Sequence, residues 1–250
     1  MYTIERAGSE PAVLCIHGYC QSSAYWEATV DRLGRAGVRA LAPDLPGFGA
    51  SAALPGPYTM EGYADGVAGV LDRLGIGRVV LVGGSMGGVV AQHFALRHPA
   101  RLLRLLLVAT GAAIADPTTA LAKADALASA PWSEETVRPI VAGFFRQLPA
   151  VAQLEKFHRI AAMASHQAAV EAARSNGRSR TLERLGEIRV PTLIIQGRHD
   201  RARTPEHGAL MRDRIPGSRL EVLEESGHTP QLEEAETFHQ IALPFLLGAP

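Results

Sequence analysis

Short apolar runs alternate with longer segments of helical periodicity along most of this chain, and the alternation predicts the fold. Residues 12–16, 38–42, 79–82, 102–109, 192–196 and 219–223 are rich in Val, Leu, Ile and Ala, and most are bounded by Gly, Pro or Asp. Runs that are apolar throughout suit strands buried on both faces, the environment of a parallel sheet covered by helices. Between them, residues 23–35, 59–74, 86–97, 205–214 and 231–247 place apolar side chains at helical spacing, as with Trp26, Val30 and Leu33. Residues 2–7 predict one further strand, antiparallel, for a sheet of about seven. From 112 to 187 the alternation stops, and the chain is Ala-rich and helical with no strand candidate. Such a block predicts a helical insertion that leaves the end of strand 102–109 and roofs the carboxyl ends of the strands, where open α/β sheets bind ligands. The core is then 1–111 and 188–250, and the insertion is 112–187. Pro139 should break the insertion helix in which it lies.

Composition narrows the choice of partner more than the choice of fold. The 250 residues are 47% hydrophobic and 20% charged, enough for a sizeable core. Lys+Arg and Asp+Glu both number 25, so the basic excess expected of a nucleic-acid or anionic-membrane surface is lacking. Two cysteines, Cys15 in a strand run and Cys20 in the loop after it, read as buried or idle thiols and not as a disulfide. Residues 1–6 lack the basic flank and apolar stretch of a secretory signal, and no apolar segment approaches the roughly 18 residues of a membrane span. A soluble, cytoplasmic protein with neither nucleic acid nor membrane as partner is expected. Its oligomeric state is not legible.

The chemistry centres on Gly83-Gly84-Ser85-Met86-Gly87, which follows the strand run 79–82 and opens a helix. A serine on so sharp a strand-to-helix turn is strained, and the flanking glycines remove Cβ atoms that would collide with the turn. Its hydroxyl then stands above the sheet at a helix N-terminus, where free N–H groups favour developing negative charge. A serine nucleophile needs a general base held by a third group. His228, in Ser226-Gly227-His228-Thr229-Pro230, lies just past a strand end on the same sheet edge as Ser85. His17 also follows a strand end and is the chief rival, although a histidine in a His-Gly pair at this place more commonly braces its loop. Asp200, ending Gln196-Gly197-Arg198-His199-Asp200, is the candidate carboxylate to fix the base's tautomer. Asp44, in a Pro/Gly turn, reads as structural, and Asp116 lies beyond its strand. His158 and His166 sit eight apart, which suits no common metal motif, so no metal site is predicted. The backbone N–H groups of Met86 and Tyr19 are the candidate oxyanion donors.

Taken in order, His17-Gly18 with Trp26 eight residues after Gly18, Asp44 through Ser51, the Gly83–Gly87 turn, Gly197 through Asp200, and Gly227-His228 resemble the α/β-hydrolase superfamily over essentially the whole chain. The resemblance implies an α/β-hydrolase fold: a mostly parallel sheet with helices on both faces and a helical cap. It further implies a cofactor-independent serine hydrolase of the capped esterase, lactonase and carbon–carbon hydrolase group, acting on a small molecule with an ester, lactone or ketone carbonyl. Ser85 in place of Asp argues against the epoxide hydrolases and haloalkane dehalogenases. Ser85-Met86-Gly87-Gly88 is similar to carbon–carbon hydrolases of ring-cleavage products, but Gly84 stands where those tend to carry Asn, and Thr229 where they tend to carry Trp. Perhydrolases share Ser-Met-Gly, and some hormone receptors keep the triad for sensing. The substrate pocket is expected to be lined by His17 and Gly18 and, from the insertion, by Trp132, Phe144, Phe145 and Phe157. The basic run Arg174, Arg178, Arg180, Arg184 and Arg189 reads as a solvated helix face.

Overall fold

A computed structural model describes residues 1–114 and 116–248. Seven strands form one sheet: β1 Thr3–Arg6, β2 Ser9–Ile16, β3 Val38–Pro43, β4 Val79–Gly84, β5 Leu102–Val108, β6 Thr192–Gly197 and β7 Arg219–Leu223. Their spatial order is β1-β3-β2-β4-β5-β6-β7, with β1 antiparallel to β3 and every other pairing parallel. The helices are α1 Glu27–Arg35, α2 Met60–Arg73, α3 Met86–Arg97, α4 Pro117–Ser129, α5 Glu134–Ala142, α6 Val151–Ala162, α7 His166–Arg178, α8 Pro205–Arg214, α9 Pro230–Glu233 and α10 Ala235–Leu247. None is long and apolar enough to cross a membrane, among the described residues.

The pleat explains the unbroken apolar runs. Ala12, Leu14 and Ile16 of β2 join Leu81 and Leu107 in one core, against Tyr63 of α2 and Phe94 of α3. Val13 and Cys15 join Val82 and Leu106 in a second core, against Leu33 of α1 and Phe238 of α10. Both faces are therefore dry, and alternate residues of one strand serve opposite cores. Burial drives both thiols, Cys15 and Cys20, well above the ordinary cysteine pKa, and both are free.

Two local expectations are corrected. The segment 231–247 is not one helix but α9 and α10, because Glu234 leaves the helical region (φ −128°, ψ 50°). The Glu233 side chain bonds the backbone of the preceding loop, and the Glu234 carboxylate accepts from the Glu225 N–H at 3.0 Å. Pro139 does not break α5, which runs through it and ends three residues later. Between β5 and β6, the helices α4–α7 pack as two pairs, α4 with α7 and α5 with α6. They meet the sheet's loops at a few points: Ser165 N–H donates to Gly47 O at 2.8 Å, and Met60 N–H to Ser175 Oγ at 3.0 Å.

Candidate active site

Ser85 occupies the turn between β4 and α3 with φ 52° and ψ −119°, a left-handed conformation that a residue with a Cβ adopts only under strain. The turn is held on both sides of the serine: Ser85 N–H donates to Val108 O at 2.9 Å, and the Thr110 hydroxyl to Ser85 O at 2.7 Å. The flanking glycines are a packing necessity. A Cβ at Gly83 would lie 2.4 Å from Gly87 O, and one at Gly87 would lie 2.4 Å from Ile16 O and 2.5 Å from His17 O. A larger residue at either place would push α3 off the sheet.

Three residues far apart in sequence meet above this turn. His228 Nε2 is 2.7 Å from Ser85 Oγ, and His228 Nδ1 is 2.6 Å from Asp200 Oδ2. A buried carboxylate can only accept, so Nδ1 carries the proton and Nε2 is left to accept from the serine hydroxyl. The other Asp200 oxygen accepts from Ala202 N–H and Arg203 N–H, both at 2.8 Å. Asp200 and His228 are both buried. The chain of bonds ends at Ser85, a residue that is only partly buried.

The loop after β2 brings Gly18 against the serine, since a Cβ there would lie 3.0 Å from Ser85 Cβ. His17 is buried and has both ring nitrogens engaged: Nδ1–H donates to Gly18 O at 2.8 Å, and Nε2 accepts from Leu45 N–H at 2.9 Å. Burial lowers its pKa, with Asp44 opposing, so the ring is neutral. With no free nitrogen it cannot serve Ser85 as base. It instead holds the carbonyl of the 18–19 peptide, and in a trans peptide this directs the Tyr19 N–H the opposite way. Gln21, which no motif marks, fixes the same loop by accepting from Gly18 N–H at 2.8 Å. A buried amide next to a glycine turn was the available signal. Neither the Tyr19 nor the Met86 N–H donates to a protein acceptor among the described residues. Asp44 accepts from Ser23 N–H and Ala50 N–H at 2.6 and 2.7 Å, the structural role its turn suggested.

Of the expected aromatic residues, Phe144, Phe145 and Phe157 cluster around Tyr25, and Trp132 lies apart. Phe144 stacks on His228, with centroids 5.9 Å apart, but Phe157 packs on Tyr25 at 4.4 Å, Phe145 on Phe157 at 5.6 Å, and Trp132 on His166 at 5.8 Å. A separate, mostly apolar cavity of about 650 Å³ beside Tyr19 is lined by small and aliphatic side chains, among them Ile114, Ala120, Leu127 and Ala173, with Lys123 and Asn176 at its wall. In the basic run, Arg174 pairs with Asp125 and Arg184 with Glu187, both at the surface. No group of three or more metal-ligating side chains occurs among the described residues.

Comparison with known proteins identifies the family. A 2-hydroxy-6-oxo-6-phenylhexa-2,4-dienoate hydrolase from Comamonas testosteroni is 32% identical over 96% of this chain and 89% of its own length. An esterase from Exiguobacterium antarcticum superposes with a TM-score of 0.91 at 25% identity, covering 98% of this chain and 95% of the other. The enol-lactonase from Burkholderia xenovorans LB400 gives a TM-score of 0.90 at 25% identity, covering 98% and 96%. Residues 13–241 match the profile of the alpha/beta hydrolase family, and the chain, with its seven-stranded sheet and strand-to-helix serine turn, belongs to that family.

Proposed function

We propose that this hydrolase cleaves a carboxylic ester or lactone through an acyl-enzyme on Ser85, with His228 as general base and acid and Asp200 as its orienting partner. The observation that carries the reading is the unbroken chain Asp200–His228–Ser85, with links of 2.6 and 2.7 Å. As Ser85 Oγ attacks the carbonyl carbon, its proton passes to His228 Nε2, and the imidazolium is stabilised by Asp200. The oxyanion is received by the Tyr19 and Met86 N–H groups. Collapse breaks the C–O bond, and the leaving oxygen takes the proton from His228. A water, deprotonated by His228, then attacks the acyl carbon and releases the acid and Ser85. No cofactor takes part. Residues 112–187 act as the cap, and the Ala-lined cavity receives the substrate's apolar group.

A second reading, hydrolysis of a carbon–carbon bond in a vinylogous diketone, is favoured by the 32% identity to the Comamonas testosteroni enzyme. Against it stand Gly84 and Thr229, in place of the Asn and Trp that such enzymes tend to carry. A panel of p-nitrophenyl esters, lactones and a vinylogous diketone, each run with wild type and Ser85→Ala, separates the two. Turnover of esters or lactones lost in Ser85→Ala supports the first reading. Turnover of the diketone alone supports the second.

A further inference from the structure

Glu233 lies five residues after His228, at the end of the four-residue helix α9, and all its hydrogen-bond partners are donors. Its Oε2 accepts from Gly227 N–H at 3.0 Å and Thr229 N–H at 3.1 Å, with the Thr229 hydroxyl also 3.0 Å away. Its Oε1 accepts from Arg146 N–H at 2.6 Å, on the segment joining α5 to α6. No cation pairs with it among the described residues, and the Arg146 guanidinium turns to Glu225 instead.

The N–H between these two donors, that of His228 itself, donates to Phe144 O at 3.1 Å. Three successive N–H groups, of residues 227, 228 and 229, are therefore fixed by just two acceptor groups, the Glu233 carboxylate and the Phe144 carbonyl. Those acceptors are in turn joined through Arg146, two residues from Phe144. The ring of bonds closes on the His228 backbone, while the Phe144 ring stacks on its imidazole. There is no slack in the arrangement, since a Cβ at Gly227 would lie 2.8 Å from Arg146 N.

We propose that Glu233 is a positioning residue that ties the seating of segment 144–146 to the orientation of the His228 imidazole. When the segment is seated, Glu233 bridges it to the His228 loop and Nε2 faces Ser85. When the segment lifts, one carboxylate oxygen and the His228 N–H lose their partners, and the imidazole is free to swing. The inference rests on His228 as the base, and it adds that the helical block controls when that base is aligned.

Because every partner donates, an amide at this position must set an NH₂ against an N–H. Glu233→Gln is thus a near-isosteric disruption, and Glu233→Ala a deletion. The site also borders a surface cavity of about 390 Å³, shared with Phe145, Arg146 and Leu232, through which a small carboxylate can enter. On whichever ester the wild type turns over, both variants are expected to lower kcat about 10- to 100-fold, the size of effect that follows from roughly 1 Å of misplacement. KM should change less than about threefold, and the thermal midpoint should show a folded protein. The same fold-loss should appear in the rate at which a fluorophosphonate labels Ser85. Added propionate should restore kcat in Glu233→Ala and leave Glu233→Gln unchanged. Wild-type kcat and labelling rate in both folded variants would overturn the proposal, as would a loss confined to KM. If Ser85→Ala and His228→Ala keep full activity, the triad reading itself has failed. If only those two are dead and the Glu233 variants are not, this inference alone has failed.

Discussion

The sheet-edge loops and the α4–α7 block meet at one site but are specified in different ways. Around Ser85 the backbone is pinned atom by atom: two glycines that admit no Cβ, a carbonyl held by Thr110, a histidine with both nitrogens committed, and a carboxylate with three donors. The block is Ala-rich and packs as helix pairs, with polar ties to the core at Phe144, Arg146, Ser165 and Ser175 among others. The difference teaches where each property resides. On the proposed function, chemistry would reside in loops that cannot move without losing hydrogen bonds, and selectivity in a surface that can exchange one small side chain for another.

Substitutions on the two sides should therefore fail differently. The largest effect belongs to the pinned side: His228→Ala and Asp200→Asn should each lower kcat by about 10⁴-fold with an unchanged melting curve, measured on the best ester. Near-native activity in Asp200→Asn would move the acid's role elsewhere. Next, Gly87→Ala, whose Cβ would sit 2.4 Å from backbone, should destabilise by about 1–3 kcal/mol in denaturant unfolding and abolish most activity. Gly177→Ala in α7, where the nearest atom is 3.5 Å away, should change neither property appreciably. If the two glycines respond alike, the contrast between the regions is wrong. Smaller again, Ala173→Phe in the cavity wall should lower kcat/KM for bulky acyl esters by about 10- to 100-fold and leave acetyl esters within about threefold.

The smallest expected effect is on pH-dependent stability. Burial lowers the pKa values of His17 and His239 in the fold, so the unfolded chain binds more protons than the native one below about pH 6.5. Stability is then full above that pH and is lost as the pH falls. Thermal midpoints should drop by about 2–4 °C between pH 7 and pH 5 for each kcal/mol lost. A flat or rising midpoint over that interval would mean these rings are already charged in the native state.

Strand positions, the serine turn and the residues at the strand ends were legible in the sequence because each follows from one local rule. Apolar runs buried on two faces mark the strands, and a nucleophile's partners must lie on its own sheet edge. That rule narrowed the histidines to His228 and His17 and the carboxylates to Asp200 and Asp44, and the loop-bracing habit of a His-Gly pair and the Pro/Gly turn around Asp44 set the rivals aside. The block was legible only as helical. Which aromatic ring of the block comes near His228 depends on how its helices cross the sheet edge: Phe144 stacks on that imidazole, whereas Trp132 stacks on His166. The break at Glu234 was hidden for a related reason. Helical periodicity continues through residues 231–247, and the break accompanies side-chain bonds from Glu233 and Glu234 back to the preceding loop, residues 225–229, which periodicity does not register.

The most direct test of the account is to treat the protein with a fluorophosphonate and locate the adduct by peptide mass spectrometry, in wild type and in His228→Ala. The account predicts a single adduct on Ser85, formed far more slowly without His228. An adduct on Ser51 or Ser226 instead, or labelling of Ser85 at the wild-type rate without His228, would contradict it.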